Sequence, residues 1–377
     1  MAYCVYRIRG RPHRESFLSF MSWIILKYSY PLSMRAVMKA KVSLGQSGIM
    51  VHHKDAVIAL DPSRHTDSHF TFVSHAHVDH LHKRSVTKKN KSQILASKET
   101  ALIAEARGYK IGNPAEQCDG FRLVDTGHIL GSRGLLIDEE VYYTGDISMR
   151  ERAFMKPAKV PHAKTLIIES TFGRPEYIFP PISEIIHKTN KIIAEMYDLG
   201  IPIILMGYTL GKAQLLTNLF GHWGPIIYDS VAKINSVYSE LGIKLESVMT
   251  YSQAEEQGLL IKNRPWVMVA PLMSSRCAFL REMKNKCGAL TIGFTGWAIG
   301  NRYKHMMGLD YVMPVSDHCD YNELVAAVKQ CRPEKVYTFH GFAKEFASSL
   351  VRIGFDAEAV GDGKNPKEKT ISLDSFL

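Results

Sequence analysis

The sequence predicts an α/β protein, and three observations carry that expectation. Short apolar, β-rich runs alternate with helical stretches over most of the 377 residues. Between 201 and 294 the runs IPIILM, PIIY, WVMVA and ALTIGF are almost continuously apolar, the pattern of a parallel sheet buried on both faces. Several runs also end in a histidine, aspartate or glutamate, which is how a site built at one edge of a sheet looks in a sequence.

The elements follow in chain order. Residues 1–37 open with an Arg-rich stretch (YRIRGRPHR), and a short apolar piece (MSWIIL) follows, cut off by Lys27 and Tyr28. No small-residue cleavage site comes after it, so the reading is an extension outside the fold, which is expected to begin near Met38. IMV, AVIAL, FTFV, LLI and VYY, all before residue 145, read as strands, and LIDEEVYY reads as a hairpin closing on Asp138 and Glu139. Helices are expected from Lys98 to Arg107 and from Ser183 to Leu199. In the second, Ile185, Ile186, Ile192, Ile193 and Met196 share one face and Gly200 supplies a stop. The last eighty residues return to strand–helix units: YVMPV then DYNELVAAVKQC, and KVYTF then FAKEFASSLVRI. The tail GDGKNPKEK is polar and expected to be loose.

Composition narrows the class. A hydrophobic content of 46% with 22% charged residues implies a sizeable core and excludes wholesale disorder. No apolar run reaches the roughly 18 residues of a membrane span, so no membrane role is expected. The net charge of +10 favours a polyanionic partner such as nucleic acid. Six cysteines without a CxxC pair read as free thiols of a cytoplasmic protein.

The chemistry concentrates after the strands. SHAHVDHLH (74–82) packs four histidines and an aspartate into nine positions. It lacks the apolar spacing of a helical face, so it is expected on the turn leaving FTFV. RLVDTG then leads to His128, VYYTG to Asp146, TLII to Glu169, YVMPVSD to His318 and KVYTF to His340. Imidazole and carboxylate suit Zn²⁺, or Mn²⁺ where oxygen dominates. His75, His77, His80, His128 and His340 with Asp79 and Asp146 are too many donors for one tetrahedral ion. They suit two ions sharing a carboxylate, an arrangement able to clamp both oxygens of a phosphodiester.

HxHxDH after a strand, followed by GHILGS and YTGD, resembles the metallo-β-lactamase superfamily. Together with IIESTFG, SDHCDY and TFHGF the set resembles its β-CASP branch of nucleic-acid-processing nucleases, from about residue 45 to 361. The resemblance implies an αββα sandwich with an α/β β-CASP domain inserted between Glu169 and His318. The implied division is 38–170 for the first part of the metallo-β-lactamase domain, 171–295 for the β-CASP domain and 296–377 for the second part. It implies two zinc ions (manganese being the alternative): His75, His77 and His128 on one, Asp79, His80 and His340 on the other, Asp146 bridging. Asp61 in ALDPSR would support the ligand loop from behind. Glu169 and His318 would deliver the proton to the leaving oxygen, with Asp79 counted among the catalytic groups.

ESTFGRPEYIFPP, YTLGKAQLL, GPIIYDSV and FTGWAIG are similar to the ligase-associated DNA exonucleases, which are grouped with mRNA 3′-end processing factor-like nucleases. The reading is therefore a zinc-dependent DNA exonuclease of repair, with a DNA ligase as a possible partner and a homodimer as a possible assembly. An RNA-processing nuclease with the same site is the alternative, and a thioester or lactone hydrolase of the superfamily is the rival outside nucleic acid. Substrate contacts are expected from Lys83, Arg84, Lys88, Lys89 and Lys91 beside the metal loop. They are also expected from Gly211 and Lys212, where a helix start could hold a phosphate.

Overall fold

The computed structural model describes residues 40–360 apart from 87–91, 113, 246–248 and 301. The expected extension of 1–37 and the polar tail beyond 360 lie outside the described residues. The first segment carries β1 (Lys41–Gly45), β2 (Gly48–His53), β3 (Ala56–Leu60), β4 (Phe70–Phe72) and β5 (Gln93–Leu95), then helix α1 (Lys98–Ala106). It continues with β6 (Gln117–Cys118), β7 (Phe121–Asp125), β8 (Arg133–Ile137), β9 (Val141–Tyr143) and β10 (Thr165–Glu169). The middle alternates α2 (Ile182–Asp198), β11 (Ile203–Gly207), α3 (Lys212–Leu219), β12 (Ile226–Ile227), α4 (Asp229–Glu240), β13 (Met249–Thr250) and α5 (Tyr251–Glu256). It goes on through β14 (Val267–Pro271), α6 (Ala278–Cys287), β15 (Leu290–Phe294), α7 (Arg302–Met307) and β16 (Tyr311–Met313). The chain closes with α8 (Tyr321–Cys331), β17 (Lys335–Phe339), α9 (Ala343–Arg352) and β18 (Ala357–Ala359).

Three sheets result. β1–β5 form a five-stranded sheet in sequence order, and a seven-stranded sheet runs β18-β17-β10-β9-β8-β7-β6. The two share a core in which Val51, Ile58, Leu60 and Phe72 of the first meet Leu135, Ile137, Tyr143 and Ile167 of the second. Side chains alternate across a strand, so Leu136, Tyr142, Leu166 and Ile168 point the other way, onto Leu324 and Val328 of α8 and Phe346 and Leu350 of α9. Each such buried Leu, Val or Phe contributes about 1.5–3 kcal/mol through removal from water. The β8–β9 hairpin turns on Asp138 and Glu139, both at positive φ (48° and 58°), the central left-handed pair of a tight turn in which the Glu140 amide donates to the Ile137 carbonyl.

The middle segment forms a six-stranded, all-parallel sheet ordered β13-β12-β14-β11-β15-β16. Its apolar runs have a purpose on both faces. Ile203, Leu205, Val267 and Val269 pack against Ile185, Ile192 and Ile193 of α2. Ile204, Met206, Met268 and Ala270 pack against Leu280 and Met283 of α6. Among the described residues no helix is long and apolar enough to cross a membrane.

β9, β10 and β17 are parallel neighbours, so the loops leaving their carboxyl ends lie side by side. Those loops start at Thr144, Ser170 and His340. The edge they form is where the candidate chemistry gathers.

Candidate metal centre

The motif loop leaves β4 as a single tight turn, with the amides of His80 and Leu81 both bonded to the His77 carbonyl. Ala76 and Leu81 are buried anchors of that turn. It brings His75 and His77 to His128, which follows β7. Nδ1 of His77 stands 3.0 Å from His75 Nε2 and 3.1 Å from His128 Nε2. Asp146 Oδ2, after β9, lies 3.4 Å from the Nε2 atoms of both His75 and His128. Three imidazole nitrogens and one carboxylate oxygen thus converge on one point.

The tautomers follow from the partners on the far side of each ring. His77 Nε2 faces the Leu210 carbonyl at 3.1 Å and His128 Nδ1 faces the Asp317 carbonyl at 2.9 Å. A carbonyl can only accept, so each of those nitrogens carries the hydrogen and the inward one is a lone pair. The Ser74 hydroxyl donates to Asp61 Oδ2, which spends its only hydrogen. His75 Nδ1, 2.9 Å from that hydroxyl, must therefore donate to it and keep Nε2 bare. His80 Nδ1 donates to Asp61 Oδ2 at 2.8 Å, which turns its Nε2 inward.

A second group forms around Asp79, His80 and His340. His80 Nε2 is 3.2 Å from Asp146 Oδ1 and 3.8 Å from Asp79 Oδ2, whose side chain is 37% exposed at the mouth of the site. Asp146 therefore presents one oxygen to each group. His80 Nε2 and Asp146 Oδ1 are buried without a hydrogen-bond partner among the described residues. Orphaned polar atoms of this kind cost stability unless something occupies the space between them. The residues fit divalent ions on that ground and on donor type, and both groups could hold one.

Electrostatics agrees. Burial, then the neighbouring His75 ring, lowers His77 to about 3, and burial with His318 nearby holds His128 well below the usual imidazole value. Both remain neutral donors. Around His80 burial again disfavours the cation, but Asp146 and Asp79 outweigh it and raise the pKa well above 6.5. The pocket stabilises a positive charge at that point.

His340 is aimed by strain. It takes φ 59° and Gly341 takes φ 54°, and a Cβ on Gly341 would come within 2.4 Å of Thr171 Cα. Ser170 clasps the turn, its hydroxyl donating to the carbonyls of Phe339 and His340. Asp61, at φ 42°, accepts from the Ser74 amide, the Ser74 hydroxyl, His80 and the Tyr143 hydroxyl, so it braces the ligand loop from behind.

Glu169 ends β10 fully buried, with Oε1 accepting from the Ile147 amide and from His318 Nδ1 at 2.9 Å each. Its other oxygen takes the Thr171 amide and hydroxyl. The His318 ring lies 4.6 Å from that of His128. Burial opposes its charge, but the carboxylates of Glu169 and Asp146 prevail and push it up to about 9.

The expected substrate contacts are placed differently. Lys83 and Arg84 are exposed beside the loop, while Lys88, Lys89 and Lys91 lie outside the described residues. Lys212 is 1% exposed and its ammonium is committed to the Val315 carbonyl at 2.9 Å and to Asp317 at 3.0 Å. The Gly211 amide, at φ 87°, donates to the Gln214 side chain and the Ala213 amide to the Tyr208 carbonyl. The Lys212 ammonium and the Gly211 and Ala213 amides at this helix start, where a phosphate contact was expected, thus have partners inside the protein.

The same spot holds residues that the sequence reading passed over. Asp317 bridges Lys212 and the buried Arg152 (2.7 Å), and Arg152 also donates to the carbonyls of Gly127 and His128. Asp317 stood inside SDHCDY and could have been read as part of the site. Arg152, in MRERAF, carried no signal.

No family model matches the chain. It is 34% identical over 317 residues to a probable DNA ligase of Opitutus terrae, covering 78% of this chain and 29% of that protein. It is 26% identical over 267 residues to an RNase J-like protein of Methanocaldococcus jannaschii, covering 59% of this chain and 63% of that one. The chain thus spans less than two thirds of either relative. A crystal structure of a protein of unknown function from Enterococcus faecalis superposes with a TM-score of 0.53 at 14% identity, over 87% of this chain and 96% of that one, a likeness of fold.

Proposed function

Since the chain belongs to the β-CASP branch of the metallo-β-lactamase superfamily, we propose that it is a metal-dependent nuclease hydrolysing phosphodiester bonds, acting as an exonuclease on DNA ends. The observation that carries the reading is Asp146, whose two oxygens face His75 and His128 on one side and His80 on the other, with the Glu169–His318 pair at their side. In this reading the five- and seven-stranded sheets form the αββα sandwich, and the six-stranded sheet belongs to the inserted β-CASP domain. That domain then reaches Met313, beyond the boundary at 295 suggested by the motifs.

His75, His77 and His128 would hold one zinc ion and Asp79, His80 and His340 the other, with Asp146 between them; manganese is the alternative. Bound there, the ions would supply Lewis acidity and offset charge on the phosphodiester. The chain's own groups do the rest. Asp79, open to the mouth, accepts a hydrogen bond from the attacking water and orients it. His318, held at Nδ1 by Glu169 and charged at neutral pH, presents Nε2–H to the departing sugar oxygen and donates the proton.

The likeness to a probable DNA ligase favours DNA and a ligase as working partner. The likeness to an RNase J-like protein favours RNA as the second reading. The test is cleavage of matched end-labelled single-stranded DNA and RNA by wild type, Asp79→Ala and His318→Ala, with zinc or manganese. Loss of DNA cleavage in both variants supports the proposal. Cleavage of RNA alone moves the protein to RNA processing. No cleavage by a metal-loaded wild type would refute a nuclease.

A further inference from the structure

Three aromatic side chains that the chemistry above does not use meet one ring away from His318, across Phe172. Tyr177 comes from the segment after β10, Trp297 from the turn after β15, and Phe342 stands two residues beyond His340. Each is half-buried. Tyr177 and Phe342 stack at 5.3 Å with planes 24° apart, and Trp297 meets Tyr177 edge-on at 5.6 Å. The Arg174 guanidinium covers Phe342 at 4.1 Å from the ring centre. Phe172 connects the cluster to the site, its ring 4.8 Å from Trp297 and 6.0 Å from His318.

Packing alone does not account for this arrangement. Rings recruited from three separate loops to a core would be sealed, as Phe172 is, whereas these keep part of their surface in water. Phe172 is the single ring between them and the group proposed to protonate the leaving sugar oxygen. A nucleotide next to a scissile phosphate carries a flat apolar base that, when unpaired, needs a face to stack on. The Arg174 guanidinium on Phe342 is itself paired with Glu345 and lies 3.8 Å from Glu176, so it fixes that ring in place rather than offering free charge.

We infer that Tyr177, Trp297 and Phe342 form a stacking platform for unpaired nucleobases flanking the cleaved bond. The inference rests on the nuclease reading and sharpens it: the substrate enters single-stranded, with little preference among bases, because every base has a stacking face. A base paired in a duplex cannot use the platform.

The experiment uses the full chain carrying His318→Ala, so that substrate binds without being cut. It measures affinity for a short single-stranded oligonucleotide with 2-aminopurine beside its end, a blunt duplex, and the same strand with abasic end residues. Trp297→Leu, Tyr177→Leu and Phe342→Leu keep apolar volume and remove the ring; Trp297→Phe and Tyr177→Phe keep a ring and serve as rescue. Each leucine variant is expected to weaken single-strand binding roughly tenfold and to lose 2-aminopurine quenching, while the phenylalanine variants retain both. The abasic strand should bind the aromatic and leucine forms alike. Leucine variants that bind and quench like the parent would overturn the platform while cleavage by the otherwise wild-type chain left the nuclease reading standing. A chain that binds no nucleic acid at all would remove both.

Discussion

The two donor groups are built to different standards. In the group of His75, His77 and His128 every ring is fixed on its far side, by Ser74, the Leu210 carbonyl and the Asp317 carbonyl respectively. In the group of Asp79, His80 and His340, among the described residues only His80 has such a brace, from Asp61, and the Asp79 carboxylate opens to solvent. The difference teaches where rigidity and access are divided. The first group is preorganised and enclosed; the second is the looser one, and it carries the exposed carboxylate.

The change expected to matter most removes what the groups share. Asp146→Asn should release metal from both and reduce activity by more than the roughly 10–100-fold typical of changes behind the ligands. Metal content after gel filtration checks it, and full retention would break the picture of one carboxylate serving both. Next is Asp61→Ala, which strips His80 of its brace and leaves the Ser74, His80 and Tyr143 donors without their acceptor. It should lower metal affinity about 10–100-fold, and chelator titration should show one ion lost before the other.

Lys212→Met tests the first group from a distance. It removes one of two cations from the buried Asp317 and should destabilise the fold by about 3 kcal/mol in urea melts. Its effect on metal affinity should be smaller than that of Asp61→Ala, since Arg152 still holds Asp317. The smallest effect is one of pH. Glu169 holds the His318 pKa above its usual value, so activity should fall on the alkaline side as the ring loses its proton. In Glu169→Gln the carboxylate that raises it is gone, so the fall should move toward neutral pH. A rate profile with an unmoved alkaline limb would detach the pair from proton delivery.

Much of this was legible because the donors sit in short local runs after strands. SHAHVDHLH, the Asp138–Glu139 hairpin and the apolar runs of the parallel sheet all follow from neighbours in the chain. What escaped depends on residues far apart. Lys212 looks like a surface cation at a helix start until Asp317 and the Val315 carbonyl, more than a hundred positions downstream, take it into the interior. Arg152 has meaning only beside the carbonyls of Gly127 and His128. Sequence spacing exposes what a turn brings together, and it hides what the packing of separate sheets brings together.

The bond from His77 to the Leu210 carbonyl sets a limit on engineering. Leu210 stands between β11 and α3, on the six-stranded sheet's side of the molecule, while His77 belongs to the motif loop after β4. A chimera that exchanged the middle segment for a shorter linker would leave that imidazole free to hydrogen-bond from either nitrogen. The two parts of this protein are therefore not interchangeable modules, and transplanting one requires carrying over the loop of the other.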